Sequence, residues 1–357
     1  MMSEGESAAA SQGRLIEVLP QHRFIESSLW NYLKPRLPEL AGAPTLKQFQ
    51  GGQSNPTFLI ETQDAKFVLR KKPPGKLLPS AHQIEREYRI LTSLPRDLIP
   101  LPPVRLFCDD ATIIGTPFYV MDYVEGRVIS SPTLPGLPPQ ERTALYIDFA
   151  TLGAKLHKVD FRACGLKDFG KTDSYVERQL DRWTRQYLAS KTDDNADMIE
   201  LMKWLAAHRP KTDEIAIVHG DFRLGNTIIH PTEPRIIALL DWELSTLGHP
   251  LADLAYACMH YHMPARRDRL GGLSGLDLTA LGIPTEEEFI GFYRQAAHRG
   301  EIQHWRFFLA FSHFRMAAIT QGVYARALQG NAADQRALDY GQAARTFAAV
   351  GWQVAQE

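Results

Sequence analysis

The segment His219–Glu243 constrains this 357-residue chain most; it reads HGDFRLGNTIIHPTEPRIIALLDWE. It contains two short apolar runs, Thr227–Ile229 and Ile236–Leu240, separated by a polar stretch with two prolines. Runs of this length and spacing predict two strands paired as a hairpin. Such pairing would bring Asn226, which precedes the first run, beside Asp241, which follows the second.

Three polar residues of this segment stand in a fixed order: Asp221, Asn226 and Asp241. Asp221 follows the strand-like run Ile215–Val218 through a His-Gly turn, and four residues separate it from Asn226. A carboxylate can orient an attacking hydroxyl, and Asn and Asp supply the oxygen ligands that Mg²⁺ prefers. A kinase catalytic loop has this layout. The alternative is an ordinary turn after a strand, but the combination of strand, turn, Asn and hairpin favours the functional interpretation.

The composition is that of a soluble globular protein, with 44% hydrophobic and 23% charged residues. The net charge of −1 gives no global attraction to nucleic acid or to an anionic membrane. No apolar run approaches the roughly 20 residues of a membrane span. Cys108, Cys164 and Cys258 are scattered, which favours a reducing compartment without a zinc site or disulfide framework. We therefore expect a cytoplasmic protein without nucleic-acid or membrane partners.

The first third of the chain is rich in strand-like patterns. Residues 1–19 lack the apolar core of a secretory signal and predict a disordered tail. Residues 20–123 predict a β-rich lobe of about five strands. Its elements are helices Phe24–Lys34 and Ile84–Ser93 and strands Leu46–Gln50, Thr57–Glu61, Lys66–Arg70, Val104–Cys108 and Pro117–Tyr123.

From about residue 124 to residue 357 the pattern is mainly helical. The predicted helices are Gln140–Val159, Ser174–Ala189, Asp197–His208, Leu251–His260, Glu286–Arg299, Ile302–Leu328 and Ala332–Val350. A hinge near residues 121–126 would join the two lobes. We expect an α+β protein with a small antiparallel sheet, a larger helical lobe, and a nucleotide in the cleft between them.

Over about residues 20–350 the chain resembles the aminoglycoside phosphotransferase and choline kinase superfamily. The stretches most similar to that superfamily are GGQSNPTFLI, FVLRKKPPG, EREYRIL, YVMDYVEGRV, HGDFRLGN and LLDWELSTLGHPLADLAY. Within it, the chain looks most like the kinase-like domain that accompanies acyl-CoA dehydrogenases. The resemblance implies a two-lobed protein-kinase-like fold and ATP- and Mg²⁺-dependent phosphoryl transfer to a small-molecule hydroxyl.

The resemblance also implies a role for each matching residue. Asp221 would be the catalytic carboxylate, and Asn226 and Asp241 would hold Mg²⁺. The residues that would cover the nucleotide phosphates are Gly51, Gly52, Gln53, Ser54 and Asn55. Glycines let backbone N–H groups approach phosphates closely, although the same stretch could be a simple hairpin turn.

Further implied contacts lie on the predicted strands and on the helix that follows them. Arg70 would contact the α- and β-phosphates and pair with Glu87. The alternative for Glu87 is a solvated surface carboxylate, and Glu85 is the rival candidate on another helix face. In the hinge, the carbonyl of Asp122 and the N–H of Val124 would bind the adenine edge.

Two residues near the catalytic segment, His219 and Arg223, have open roles. His219 is either a structural residue bonded to loop backbone or a competing general base. Arg223 faces either substrate or a structural carboxylate. Asp253, at the start of a helix, is expected to brace the catalytic loop as a cap or ion pair.

Three functional hypotheses follow. The first is a kinase whose acceptor is a hydroxyacyl or acyl-CoA-type metabolite, as the resemblance implies. The cluster Arg266, Arg267 and Arg269, with Lys76, could bind an anionic CoA group, or it could be a solvated loop. The second is a nucleotide-binding pseudokinase, which the complete set of implied residues disfavours. The third is an acyl-CoA dehydrogenase, but no segment supplies a flavin site.

Overall fold

The computed structural model describes residues 13–50, 55–73, 83–211, 214–265, 271–329 and 339–357. The chain divides into two compact units. The first comprises residues 1–129 and 226–245, and the second comprises residues 130–225 and 246–357. The expected α+β class, with an antiparallel sheet early in the chain and helices later, is confirmed.

The first unit contains a six-stranded antiparallel sheet in the order β1-β2-β3-β4-β6-β5. Its strands are β1 (Leu15–Ile16), β2 (Thr45–Phe49), β3 (Thr57–Glu61), β4 (Lys66–Lys71), β5 (Val104–Cys108) and β6 (Phe118–Asp122). Its described helices are α1 (Glu26–Leu33), α2 (Ile84–Ser93) and α3 (Ala111–Ile114), with 3₁₀ turns at Pro20–His22 and Pro38–Leu40. The bounds of β3, β5 and α2 match the predicted ones.

Strand β1 corrects the expectation that residues 1–19 form a disordered tail. Leu15 pairs with Phe49, Ile16 pairs with Gln48, and the N–H of Leu19 donates to Gln48 Oε1 at 3.1 Å. A two-residue strand is too short to show a period-2 pattern, so no local signal predicts it. Residues 13–19 are therefore held to the sheet edge, and residues 1–12 lie outside the described part of the chain.

One face of strand β4 packs in the apolar core of the first unit, and the other face carries Arg70. Phe67 and Leu69 are buried in an apolar cluster with Leu29 and Leu33 of α1. Burying one such side chain contributes about 1.5–3 kcal/mol to stability. Because side chains alternate along a strand, Arg70 lies on the opposite face. The core packing of α1 thus orients the other face of the sheet for the site.

The first unit also includes a hairpin, β8 (Thr227–Ile229) and β9 (Ile236–Leu239), which the sequence assigned to the helical lobe. The N–H of Leu239 donates to Pro100 O at 2.8 Å, and Arg127 and Ile229 exchange two backbone hydrogen bonds. These bonds join the hairpin to the first unit. The first unit is therefore discontinuous in sequence, whereas the sequence predicted a single boundary at residue 123. The hairpin pairing itself agrees with the expectation.

The second unit is mainly helical, with one small sheet in which β7 pairs antiparallel with β10. Its elements are α4 (Pro139–Lys158), α5 (Tyr175–Ser190), α6 (Ala196–Ala207), β7 (Ala216–Val218), β10 (Thr246–Gly248), α7 (Pro250–His262), α8 (Leu278–Leu281), α9 (Glu286–Ala297), α10 (Trp305–Leu328) and α11 (Tyr340–Gln356). The start of the predicted helix Ala332–Val350 falls outside the described residues. Within the described ranges, no helix is both long and apolar enough to cross a membrane.

Candidate functional site

The first unit encloses a cavity of about 220 Å³ with mostly apolar walls. Strands β4 and β6 contribute Val68 and Met121, and the hairpin contributes Ile228 and Leu239. The polar side chains that also line it include Arg70, Glu87 and Asp241. The sequence had assigned these three residues to one site, and the structure brings them together.

Arg70 is the centre of this polar cluster. Its Nη2 lies 3.1 Å from Glu87 Oε1 and 3.3 Å from Asp241 Oδ1. Burial opposes the charged guanidinium, but Glu87, Tyr119 and Asp241 outweigh it and raise the pKa of Arg70 above its usual value. Glu87 is only 1% exposed, so the alternative of a solvated surface carboxylate is wrong. Glu85 instead pairs with Lys72 at 2.9 Å.

Several polar atoms around Arg70 have no hydrogen-bond partner among the described residues. They are Glu87 Oε2, Arg70 Nε, and the side-chain amide nitrogen and oxygen of Asn55. An unsatisfied buried polar atom costs about 1–3 kcal/mol, so such groups are usually completed by water or a ligand. Asn55 is the described member of the proposed phosphate loop; Gly51, Gly52, Gln53 and Ser54 lie outside the described residues.

Asn226 and Asp241 flank the same end of the hairpin. Thr227 pairs with Leu239, and the N–H of Leu240 donates to Asn226 O at 2.8 Å. Asp241 then adopts a left-handed backbone, with φ 67°. Its carboxylate and the Asn226 amide are hard oxygen donors that flank the same end of the hairpin, which fits a Mg²⁺ ion.

The segment after β6 also lines the cavity, through Asp122 and Val124 among others. The N–H of Asp122 donates to Pro103 O at 2.8 Å, and the N–H of Tyr123 donates to Lys66 O at 3.3 Å. The Asp122 carboxylate accepts from Arg105 Nε at 2.5 Å. The side chain of Asp122 is thus engaged with Arg105, and its contribution to a ligand would come from its backbone.

In the second unit, Asp253 braces the loop that begins at His219. Its carboxylate accepts from the N–H of His219 at 2.5 Å and from the N–H of Gly220 at 2.9 Å. His157 Nε2 lies 3.3 Å from the same carboxylate. Burial opposes ionisation, but His157, His219 and Gly220 outweigh it and lower the pKa of Asp253. The geometry agrees with the expected bracing role, although the cap of α7 is His249 instead.

Asp221 follows this braced turn and is partly exposed. Its N–H donates to His219 Nδ1 at 3.2 Å, and its Oδ2 accepts from Arg223 Nε at 3.3 Å. The side chains of Asp221 and Arg223 are 19% and 28% exposed, so both are accessible to a ligand. The His219 ring is fully buried and accepts from backbone, which favours its structural role.

Sequence reasoning missed Arg315 of α10. Its Nη2 donates a short hydrogen bond to the carbonyl of Gly220, and the side chain is buried. The available signal was a cation in the apolar run FLAFSHFRMAAI, since arginine is rarely buried without a specific partner.

A second, smaller cavity lies within the second unit and has an aromatic wall. Tyr146 OH donates to Pro132 O at 2.6 Å and Tyr261 OH donates to Pro284 O at 2.9 Å, so their hydroxyls are engaged with backbone. The lining residues are Ser130, Pro132, Tyr146, Phe149, Arg223, Leu224, Gly225, Ala257, His260, Tyr261, Leu273 and Phe289. The residues Arg266, Arg267, Arg269 and Lys76 lie outside the described part of the chain.

Comparison with known proteins agrees with this geometry. A family model described as the phosphotransferase enzyme family matches residues 45–306. The chain is 45% identical over 331 residues to acyl-CoA dehydrogenase family member 10 of Mus musculus, covering 92% of this chain and 31% of that protein. It is 41% identical over 354 residues to acyl-CoA dehydrogenase family member 11 of Homo sapiens, covering 98% and 45%. The chain thus spans less than half the length of these curated relatives.

Solved structures extend the comparison to the fold. A candidate aminoglycoside phosphotransferase from Ralstonia eutropha is 43% identical, with a TM-score of 0.84 and coverage of 94% of this chain and 99% of that one. An aminoglycoside phosphotransferase crystallised with ADP and hygromycin B is 15% identical, with a TM-score of 0.60 and coverage of 92% and 98%; it shows a shared fold. The chain therefore belongs to the phosphotransferase enzyme family and has its kinase-like fold.

Proposed function

We propose that this protein transfers the γ-phosphate of ATP to a hydroxyl group of a small molecule, with Mg²⁺ as the metal. The observation that carries the proposal is the cluster of Arg70, Glu87 and Asp241 on an otherwise apolar cavity of the first unit. Apolar walls suit a purine ring, and the fixed cation suits its phosphates.

On the nucleotide side, Arg70, Asp122 and Val124 are implied contacts that also line the cavity. The backbone of Asp122 and Val124 would bind the base edge, and Val68 and Ile228 would contact the ring. Arg70 would bind phosphate oxygens while Glu87 holds its guanidinium in place. Arginine keeps its charge at all accessible pH values and binds in a fixed planar geometry, so this contact would be permanent.

Asn226 and Asp241 are the residues that would hold Mg²⁺. When bound, the ion would neutralise charge on the transferring phosphoryl group. Their position at one end of a hydrogen-bonded hairpin supports this role, because the hairpin bonds hold Asn226 and the residue before Asp241 before any ligand arrives.

Asp221 would accept the hydrogen bond of the acceptor hydroxyl and take its proton as the phosphate transfers. Its backbone is fixed by the bonds that Asp253 and His219 make around Gly220 and Asp221. In a loose phosphoryl-transfer transition state, proton transfer is late, so placing the hydroxyl is the main contribution of this carboxylate.

For the acceptor, we propose a hydroxyacyl or acyl-CoA-type metabolite. Arg223, whose side chain is partly exposed beside Asp221, is a cation and suits an anionic acceptor better than a polyamine. The curated relatives named as acyl-CoA dehydrogenases provide the second support. Phosphorylation would turn a hydroxyl into a good leaving group and so prepare an acyl chain for elimination.

The test is an ATP-consumption screen over hydroxyacyl-CoAs, other hydroxylated metabolites and kanamycin-like polyamines. We expect activity on a hydroxyacyl compound. The Asp221→Asn variant should keep its fold and ATP binding but lose about two to four orders of magnitude in turnover, because an amide neither orients the hydroxyl as a carboxylate does nor takes its proton. Near-wild-type turnover by this variant would contradict the role of Asp221. Activity confined to polyamines would overturn the acceptor class and leave the kinase proposal standing.

A further inference from the structure

Arg315 lies in the middle of helix α10, surrounded by the core of the second unit. Its side chain is 8% exposed, and its guanidinium carbon lies 5.6 Å from the ring centroid of Trp183 and 5.3 Å from that of Tyr256. One guanidinium nitrogen donates to the carbonyl of Gly220. A buried cation is therefore held between aromatic rings and directed at one backbone carbonyl.

Burying a charge here carries a desolvation cost that an apolar side chain of the same size would not have. Replacing buried charges with apolar residues of similar size is often neutral or stabilising. The Nε of Arg315 has no hydrogen-bond partner among the described residues, so the site does not satisfy the guanidinium fully. The hydrogen bond that Arg315 does make is to the turn before Asp221.

The peptide that joins Gly220 to Asp221 is held at both of its polar atoms. Arg315 binds its carbonyl oxygen, and the ring of His219 accepts from its N–H. Gly220 has a left-handed backbone, with φ 84°. Glycine adopts positive and negative φ values about equally readily, so local sterics do not select this conformation. External bonds are needed to select one orientation of this peptide, and Asp253 binds only the preceding N–H groups.

We propose that Arg315 is a positioning residue that fixes the plane of the Gly220–Asp221 peptide and so directs the Asp221 carboxylate. The catalytic part of this inference rests on the proposed function. Because Arg315 acts through backbone, its loss should change turnover more than nucleotide binding.

The first experiment compares Arg315→Met, which keeps much of the volume but removes the donors, with Arg315→Lys. Arg345→Met, an exposed arginine on α11, is the matched control. We expect Arg315→Met to lower kcat by about tenfold to a hundredfold, the scale for a displaced catalytic group, with an unchanged KM for ATP. Arg315→Lys should recover part of kcat, because an ammonium can still donate to the Gly220 carbonyl.

Hydrogen–deuterium exchange tests the clamp without any acceptor. In Arg315→Met, exchange should rise in the peptides that contain Asp221, more than in the rest of the second unit and more than in Arg345→Met. An inactive wild-type protein would defeat the proposed function, while the exchange data would still decide the clamp. Unchanged exchange at Asp221, or wild-type kcat in a folded Arg315→Met protein, would overturn the inference. If Arg315→Met does not fold, Arg315→Lys provides the test. Exchange at Asp221 raised above wild type together with a lowered kcat would support the clamp, and wild-type exchange or a wild-type kcat would contradict it.

Discussion

At the scale of single residues, Asp241 has an unusual backbone. A left-handed conformation costs a residue other than glycine about 1–2 kcal/mol, and asparagine and aspartate tolerate it best. The φ of 67° occurs where β9 ends and a 3₁₀ turn, Trp242–Leu244, begins. Strain of this kind persists where the surroundings over-determine it, as the hairpin bonds and the contact with Arg70 do here. The carboxylate is thereby turned to the cavity.

Substitutions at the two proposed metal ligands should differ in severity. Asp241→Asn keeps a side chain that tolerates the left-handed backbone but removes a charge, whereas Asn226→Ala removes a neutral ligand. We expect Asp241→Asn to weaken Mg²⁺-dependent ATP binding by at least about tenfold, and more than Asn226→Ala does, because hard cations prefer charged oxygen ligands. Calorimetry with and without Mg²⁺ measures this. Equal metal dependence in both variants and the wild type would refute the metal assignment.

At the scale of elements, hydrophobic periodicity predicted the helices and strands that are long enough to contain several periods. Helix α2 and strands β3 and β5 have the predicted bounds because several turns or alternations fall within each. The short elements β1, α3, α8 and β10 escaped prediction, since two to four residues hold at most about one period. The hairpin was predicted from the pattern of its own two strands. Its partners Pro100 and Arg127 are remote in sequence, so the unit to which the hairpin belongs could not be predicted.

Strand β1 should influence nucleotide affinity. It is held by the Gln48 side chain, whose Oε1 accepts from Leu19 N–H and whose Nε2 lies 2.9 Å from His22 Nδ1. Gly13, just before the strand, and Phe49 both line the cavity. We expect Gln48→Ala to raise the KM for ATP about threefold to tenfold, the effect of about one hydrogen bond of 1 kcal/mol.

The control for this prediction is Gln140→Ala, an exposed glutamine at the start of α4. Steady-state kinetics with varied ATP should leave its KM at the wild-type value. The KM for the acceptor should change in neither variant, because Gln48 belongs to the first unit. A Gln48→Ala protein with wild-type KM for ATP would show that the strand plays no part in binding.

At the scale of the whole molecule, buried neutral histidines predict sensitivity to acid. Burial lowers the pKa of His249 to about 4 and that of His313 to about 3. Both bind protons in the unfolded chain near pH 6.5 but not in the folded one, so stability should be complete above that pH and fall as the pH drops from about 6.5 towards 4. His249 Nδ1 also accepts from Leu251 N–H, a bond that only the neutral ring can make.

Urea unfolding at a series of pH values tests this. Each histidine contributes a slope of up to about 1.4 kcal/mol per pH unit in this window. His313→Phe should flatten the dependence by about that amount, whereas the exposed His298→Asn should leave it unchanged. A slope that is the same in His313→Phe and the wild type would show that folding does not lower the pKa of His313.

The sequence predicted the candidate site residues whose side-chain types indicate a chemical role. Asp221, Asn226, Asp241, Arg70 and Glu87 were identified from order, spacing and resemblance, and geometry then joined Arg70, Glu87 and Asp241. Arg315 could not be assigned, because a bond to a backbone carbonyl leaves no partner residue to recognise in the sequence.

The discontinuity of the first unit limits how this protein can be divided. The chain passes from one unit to the other after Ile129, Gly225 and Ser245. A fragment that ends at the first of these points would retain Arg70 and Glu87 but lose Asp241 and the cavity wall formed by the hairpin. The proposed ATP site could therefore not be excised, fused or inherited as an N-terminal module alone; recombination would have to transfer nearly the whole catalytic region at once.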